Sequence, residues 1–259
     1  MEISQCDFTY DIVFKHVMKD KGIARDLIEC ILGKKVQGEI YLTVQKEIDP
    51  GPGFRAIRCD AYCTDDGSTI YNIEMQRTDR NPLVTRLRGY QATIDTNTMQ
   101  EGCDFDDLGE VYVIFICTFD YFKQGKGMYQ LEMREVTEPE KPVDSRFHWV
   151  ILNATSPENA HSAELAALLN YVASGEVGDS DLVKRIAKKV KAVKKRKKVR
   201  NMITMQKKHE LDLRNTAKTV EDRAVELSSR LVELERYEDI LRMQNDLAFR
   251  EQLFEELGL

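Results

Sequence analysis

The sequence predicts a mixed α/β domain followed by a long helical region without strand signals. Three observations support this class. Helical periodicity opens the chain, and strand-like segments joined by turn residues follow it. Residues 110–119 form a nearly continuous apolar run, which is typical of a strand buried on both faces of a sheet. Beyond Gly178 the chain becomes polar and helical, so we predict two domains, at residues 1–178 and 179–259.

The first predicted elements are two short helices and a strand. Apolar residues recur at helical spacing over residues 12–32, with a break near Lys21 and with Gly33 as a C-terminal stop. Residues 40–48 then have the pattern of a strand, and the turn-rich DPGPG follows at 49–53.

A β-hairpin is the strongest local signal. Residues 56–64 and 68–76 are strand-like, and Asp65-Asp66-Gly67 separates them. The later elements are assigned by the same periodicities: a helix at 81–99, a central strand at 110–119, strands at 128–136 and 147–153, and a helix at 160–174.

Composition favours one sizeable folded domain with an appendage. The 259 residues are 42% hydrophobic and 32% charged, and no apolar run reaches the roughly 18 residues of a membrane span. The N-terminus lacks the basic start and apolar stretch of a signal peptide. We therefore expect a cytoplasmic protein that does not bind membranes. Its six cysteines lack metal-ligand spacing and are expected to be reduced thiols in the core.

The hairpin brings two carboxylates together. With a three-residue turn at 66–68, antiparallel counting puts Asp60 opposite Glu74, and alternation puts Asn72 and Gln76 on the face of Glu74. Like charges separated by about 5 Å repel each other unless a divalent cation lies between them. Mg²⁺ prefers carboxylates, waters and phosphate oxygens, and it can polarise a phosphate for hydrolysis. The alternative is an acidic hairpin face that only contacts solvent.

Five segments carry a resemblance to a known family. YDIVFK, RCDAY, YNIEMQ, RLRGYQATID and YVIFICTFD occur in an order that resembles the PD-(D/E)XK nucleases known as transposase-associated or recombination-promoting nucleases. The resemblance implies a restriction-endonuclease-like core, a mixed sheet flanked by helices, with a metal-dependent DNA endonuclease site. It implies that Asp60 and Glu74 bind Mg²⁺ or Mn²⁺. It also implies that Gln76 takes the place of the usual lysine and positions water or the scissile phosphate.

The resemblance extends to the first predicted helix. Asp11 and Lys15 match the family's D-x-x-F-K pattern, so Asp11 is expected to act as an accessory residue near the metal. The alternative is an i,i+4 surface ion pair, which contributes roughly 0.3 kcal/mol.

A second helix is expected to contact DNA. Arg86, Arg88 and Tyr90 match an arginine- and tyrosine-bearing helix of the family, and the arginines can supply the positive charge that Gln76 lacks. Gly89 stands where relatives often have a second aromatic residue. A glycine inside a helix costs roughly 1 kcal/mol relative to alanine.

A basic segment follows the α/β domain. Residues 184–208 contain thirteen Lys or Arg and no acidic residue. Removing these thirteen charges from the net charge of −6 leaves −19 for the other residues. Such a helix can neutralise phosphates without reading sequence. Pairing with the acidic domain is the alternative, and a membrane surface would need a broader apolar face. The residues expected to bind DNA are Lys188, Lys191, Lys195, Arg196 and Lys198.

The C-terminal helix has a heptad-like seam. Its members alternate spacings of four and three: Leu213, Ala217, Val220, Ala224, Leu227, Leu231 and Leu234. Such a seam requires a partner helix. A homodimer and a helix folded back onto its own domain both meet that requirement.

The resemblance, with which the hairpin geometry and the basic segment are compatible, implies a divalent-metal-dependent DNA endonuclease linked to a mobile element, recombination or defence. We expect low sequence specificity because the sequence contains no base-reading motif. The replacement of lysine by Gln76 motivates one alternative, a catalytically weak DNA-binding accessory protein. A coiled-coil interaction protein is the other alternative.

Overall fold

The structure is a computed structural model that describes residues 6–53, 55–79, 82–99, 102–234 and 236–258, without the side chains of 209, 210 and 213–222. Over these residues the predicted α/β class is confirmed. The chain divides into two compact units, Met1–Arg200 and Asn201–Leu259. None of the described helices is long and apolar enough to span a membrane.

The first unit contains six strands and the helices that flank them. The strands are β1 (Ile40–Ile48), β2 (Ile57–Asp65), β3 (Ile70–Gln76), β4 (Val111–Cys117), β5 (Met128–Leu131) and β6 (Phe147–Asn153). The helices up to the boundary are α1 (Asp11–Met18), α2 (Lys21–Leu32), α3 (Leu83–Thr98), α4 (Ala163–Ser174) and α5 (Asp181–Lys195). The C-terminal region is helical, with α6 (Lys197–Glu233), α7 (Tyr237–Asn245) and α8 (Leu247–Leu257).

The strands form one mixed sheet in the order β1-β2-β3-β4-β6-β5. β1, β2 and β3 are antiparallel neighbours, whereas β3, β4 and β6 run parallel. Every residue of β4 is buried, as its continuous apolar run predicts. Both faces of the sheet centre are therefore covered.

Local signals fix the first helices as predicted. The Asp20 carboxylate accepts a hydrogen bond from the Ile23 N–H and caps the start of α2. Gly33 ends the same helix at φ +66°, the left-handed conformation that favours glycine. The break predicted near Lys21 thus lies at the junction of α1 and α2.

The strand predicted at 128–136 is too long. β5 ends at Leu131, and beyond it Arg134 forms only an isolated bridge with Pro142. The Glu135 side chain accepts hydrogen bonds from the N–H groups of Thr137 and Glu138. These local bonds fold the segment into a turn and compete with the strand ladder.

Five of the six cysteines are buried and all six are unpaired, but the prediction of a core position is wrong for Cys103. This residue lies in an exposed loop before β4, where the Phe105 side chain is also exposed. Its sequence context, EGCDFDD, is rich in acidic residues, whereas Cys30 and Cys117 lie in apolar segments.

The second unit buries part of the heptad-like seam against its own helices. Leu227 and Leu231 of α6 are fully buried in a cluster with Met243, Leu253 and Phe254. The cluster lies within one chain, so Leu227 and Leu231 have an intramolecular partner, whereas Leu234 of the same seam is 44% exposed. The side chains of Leu213, Ala217 and Val220 lie outside the described residues.

Candidate functional site

The β2–β3 hairpin has the predicted register. Ala61 pairs with Ile73 and Thr64 pairs with Ile70, so the same count puts Asp60 opposite Glu74. The Asp-Gly turn and the period-2 pattern therefore predicted the pairing correctly.

The two carboxylates connect the strands through side chain to backbone hydrogen bonds. The Asp60 N–H donates to Glu74 Oε1 over 2.9 Å, and the Met75 N–H donates to Asp60 Oδ2 over 3.3 Å. Asp60 and Glu74 are 9% and 4% exposed, respectively. A wet hairpin face, the alternative considered for the sequence, is therefore excluded for this pair.

Strict alternation fails around Asp60. Cys59 and Tyr62 are three residues apart but pack in one core cluster, beneath Leu87 of α3. Gln45 of β1, the residue opposite Asp60, has a φ of 54° and lies between the regular pairs of the ladder. Asp60 lies beside Lys15 of α1, whereas Glu74 lies beside Tyr90 of α3.

Burial and repulsion control the acidity of the pair. Burial, followed by the charge of Asp60, raises the pKa of Glu74 well above its ordinary value. Burial also raises the pKa of Asp60, although the Lys15 ammonium opposes that shift. Such a pair requires positive charge before both carboxylates can ionise.

Lys15 of α1 supplies one such charge. Its Nζ lies 2.6 Å from Asp11 Oδ1 and 3.2 Å from Asp60 Oδ1, and its side chain is 11% exposed. Burial alone would lower the pKa of Lys15, but the two carboxylates outweigh burial and raise it. The predicted Asp11–Lys15 ion pair is present and reaches Asp60, which a simple surface pair would not do.

Arg86 and Tyr90 of α3 approach the site from the other side. The Tyr90 hydroxyl donates to Glu74 Oε2 over 3.3 Å, and the charge of Arg86 favours ionised Glu74. Arg86 Nη1 donates to Gln76 Oε1 over 2.8 Å, while Gln76 Nε2 donates to the Thr78 carbonyl over 2.7 Å. The Gln76 amide is therefore held between α3 and the backbone after β3.

A cleft of about 920 Å³ opens beside these residues. We call it the arginine cleft, and its lining includes Arg55, Arg58, Gln76, Arg86, Gly89 and Tyr90. A Cβ atom at Gly89 would meet no atom within 4 Å, so this glycine leaves the cleft wall open.

Two arginines that line the cleft were not among the site residues predicted from the sequence, and one predicted arginine lies outside the cleft. Arg55 and Arg58 are exposed and line the arginine cleft, and Arg58 precedes Asp60 by two residues at the start of β2. That proximity was the only signal that could have found them. Arg88 is exposed but does not line the cleft, because the cleft-facing side of α3 has Arg86, Gly89 and Tyr90 at helical spacing.

The donor set of the site suits a divalent cation bound by two carboxylates and completed by water or phosphate oxygens. Among the described residues, no cluster of three or more His, Cys, Asp and Glu is suited to hold a metal. Asn72 is fully buried two residues before Glu74, and its amide makes no well-formed side-chain hydrogen bond among the described residues, although its contact with Glu74 still lowers the pKa of that carboxyl. Two buried carboxylates that repel each other are consistent with a site that is completed by a cation.

The basic residues of α5 and of the start of α6 fall into two groups, those in ion pairs with acidic residues and those exposed to solvent. Arg185 pairs with Asp26, and Lys189 Nζ lies 2.8 Å from Asp20, so the predicted pairing with the acidic domain holds for these two residues. The five residues predicted to bind DNA are instead all exposed: Lys188, Lys191, Lys195, Arg196 and Lys198.

Comparison with known proteins gives a family match. The family model of the PD-(D/E)XK nuclease family transposases matches residues 4–229, which is most of the chain. No curated protein and no solved structure matches the chain at a significant level.

Proposed function

The chain belongs to the PD-(D/E)XK nuclease family transposases, and we propose that it is a divalent-metal-dependent endonuclease that hydrolyses phosphodiester bonds of DNA. One observation carries the proposal: Asp60 and Glu74 are buried opposite each other beside a cleft lined by arginines. This arrangement provides both a place for a cation and a path for a phosphate backbone.

Asp60 and Glu74 are the residues that would hold Mg²⁺ or Mn²⁺. Each has one oxygen that accepts a backbone hydrogen bond from the hairpin, which fixes the carboxylate orientation. A bound divalent ion would polarise the scissile phosphate and lower the pKa of a water molecule. Hydrolysis then forms a bond from the water oxygen to phosphorus and breaks the bond to the leaving oxygen, which takes up a proton.

We propose that Arg86 stabilises the negative charge that develops on the phosphate during hydrolysis. Its guanidinium lies beside Gln76 and 5.0 Å from the centre of the Phe115 ring, so its position is fixed before substrate binds. Preorganised charge of this kind is worth far more in a partly desolvated site than in water. Gln76 positions Arg86 in this scheme, since both ends of its amide are already used within the protein.

DNA would be held by backbone contacts and not by base contacts. Arg55 and Arg58 extend the positive charge of the arginine cleft, and Lys188, Lys191 and Lys195 offer a second basic surface on α5. Contacts of this kind carry no sequence information. We therefore propose low sequence specificity. We also propose a cytoplasmic location and a role in a mobile element, recombination or defence.

A second candidate is a DNA-binding accessory protein with weak catalysis. The observation that favours it is the occupied amide of Gln76, which is not free to orient water in the place of the usual lysine. This candidate has the same DNA contacts but does not cleave.

Supercoiled plasmid incubated with the protein and Mg²⁺ or Mn²⁺ tests the proposal. Nicked or linear product, lost with EDTA and in Asp60→Ala and Glu74→Ala, is the expected result. The matched control is Glu140→Ala, which removes an exposed carboxylate outside the arginine cleft and should leave cleavage intact. Binding without cleavage in both metals would favour the accessory protein.

A further inference from the structure

Lys15 takes part in the candidate site without being one of its cation ligands. Its ammonium lies between Asp11 Oδ1 at 2.6 Å and Asp60 Oδ1 at 3.2 Å. The side chain of Asp11 is 44% exposed, whereas those of Lys15 and Asp60 are only 11% and 13% exposed. The ammonium is thus the inner member of the Asp11–Lys15 pair and bonds directly to the buried carboxylate.

This position separates Asp11 from the other acidic residues. The Lys15 ammonium bridges Asp11 and Asp60, and the described residues contain no metal-suited cluster of three ligands. A second divalent ion would need additional carboxylate oxygens next to Asp60. The Lys15 ammonium occupies the oxygen of Asp60 that such an ion would use.

The charges of the site lead to the same conclusion. Asp11, Asp60 and Glu74 carry three negative charges when ionised, and Lys15 reduces the total to two. One divalent cation balances that remainder, and Arg86 is then left to face the phosphate.

We propose that Lys15 is a built-in second cation, so that the Asp60–Glu74 site takes a single divalent ion and Asp11 binds none. The inference rests on the proposed nuclease function. In a site with two ions, the second ion would supply extra positive charge near the reacting phosphate. Here a lysine from α1 supplies that charge, and Asp11 positions it.

A purely structural role for Lys15 is the rival explanation. A buried ion pair docks α1 on β2, and its loss would then lower stability without changing how many ions bind. The number of bound ions distinguishes the two explanations, and it can be measured without DNA or cleavage.

Isothermal titration of the full-length protein with MnCl₂, after dialysis against EDTA and then metal-free buffer, tests the proposal. We expect one Mn²⁺ per chain in the wild type and in Lys15→Arg. Lys15→Gln should bind two, because Asp11 and Asp60 become available to a second ion. Lys15→Gln combined with Asp11→Asn should return the count to one.

Two bound ions in the wild type, or one in a folded Lys15→Gln, would overturn the inference. If Lys15→Gln does not fold, the single variant Asp11→Asn decides the question. We expect the Asp11→Asn protein to bind Mn²⁺ with an affinity within about twofold of the wild type. A tenfold loss of affinity would instead identify Asp11 as a metal ligand. Two ions with intact plasmid cleavage would leave the nuclease function standing. Absence of both Mn²⁺ binding and cleavage would overturn the function itself.

Discussion

Arg86 Nη1 donates a 2.8 Å hydrogen bond to the side-chain carbonyl of Gln76. This contact joins Gln76, which we propose stands in the place of the family's lysine, to a guanidinium from a different element, α3. A neutral amide cannot stabilise developing negative charge as an ammonium does. The bond places positive charge next to that amide.

Arg86→Gln should therefore lower kcat of DNA cleavage by about 100-fold, the scale of removing one preorganised electrostatic contact. Introducing Gln76→Lys into that variant should recover part of the loss, because a lysine then supplies the charge from β3. Initial rates of plasmid nicking at saturating Mg²⁺ measure both effects. Arg88→Gln is the matched control, since Arg88 is exposed outside the cleft. Equal losses in Arg86→Gln and Arg88→Gln would contradict the assignment.

The raised pKa of Glu74 predicts how the stability of the metal-free protein depends on pH. Burial and the charge of Asp60 raise the pKa of Glu74 in the folded protein above its ordinary value of 4.5. The unfolded chain therefore releases this proton at a lower pH than the folded chain does. It follows that the folded state loses stability as pH rises from about 4.5 through the folded pKa.

Glu74→Gln should consequently be more stable than the wild type at pH 8 in EDTA, by about 1–3 kcal/mol. Each kcal/mol corresponds to a rise of about 2–4 °C in Tm for a chain of this size. The difference should disappear well below pH 4.5, where Glu74 is protonated in both the folded and the unfolded state. Thermal unfolding at several pH values measures it, with Glu47→Gln as an exposed control. A constant difference across pH would exclude the ionisation of Glu74 as its cause.

The pairing of the two carboxylates could be predicted because its causes are local. The turn at Asp66-Gly67 and the period of two residues set the register, and both are visible in the sequence. The orientation of Asp60 could not be predicted. Its contact with Lys15 joins β2 to a helix 45 positions earlier in the sequence, and no local pattern shows that contact.

The same limit applies to the charged residues. The ion pairs of Arg185 and Lys189 join α5 to acidic residues more than 150 positions away in sequence. Arg55 and Arg58 form part of a site only because β2 and α3 meet at the cleft. The sequence shows how many basic residues a segment carries. The tertiary packing decides which of those charges are paired within the protein and which can contact a ligand.

That distinction within α5 yields a test of DNA binding. Lys188, Lys191 and Lys195 are exposed, whereas Arg185 and Lys189 have carboxylate partners on the α2 side of the fold. Changing the three exposed lysines to Gln should reduce the slope of log K against log salt by roughly 0.9 for each lost phosphate contact, about three in total. Fluorescence anisotropy with a labelled duplex in EDTA at about 50–200 mM salt measures the slope.

Arg185→Gln with Lys189→Gln provides the control for the same helix. These changes remove two positive charges that are already paired, so the salt slope should remain near that of the wild type while thermal stability falls slightly. A slope that depends only on the number of basic residues removed, and not on which ones, would contradict a defined contact surface on α5.

Gly89 lies inside helix α3, and the space around its Cβ position is open. Replacing it with alanine should therefore strengthen the helix without a steric clash. A Cβ atom at this position would meet nothing within 4 Å, so Gly89→Ala should stabilise α3 by about 1 kcal/mol and raise Tm by about 2–4 °C. Gly38→Ala should do the opposite and cost about 1–3 kcal/mol, since Gly38 has a φ of +55° and its Cβ would overlap the Asp66 carboxylate. Thermal unfolding of both variants, with plasmid cleavage measured for Gly89→Ala, makes the comparison. Loss of cleavage in a stabilised Gly89→Ala would mean that the backbone of α3 itself approaches the DNA, because a methyl group blocks little else of so wide a cleft.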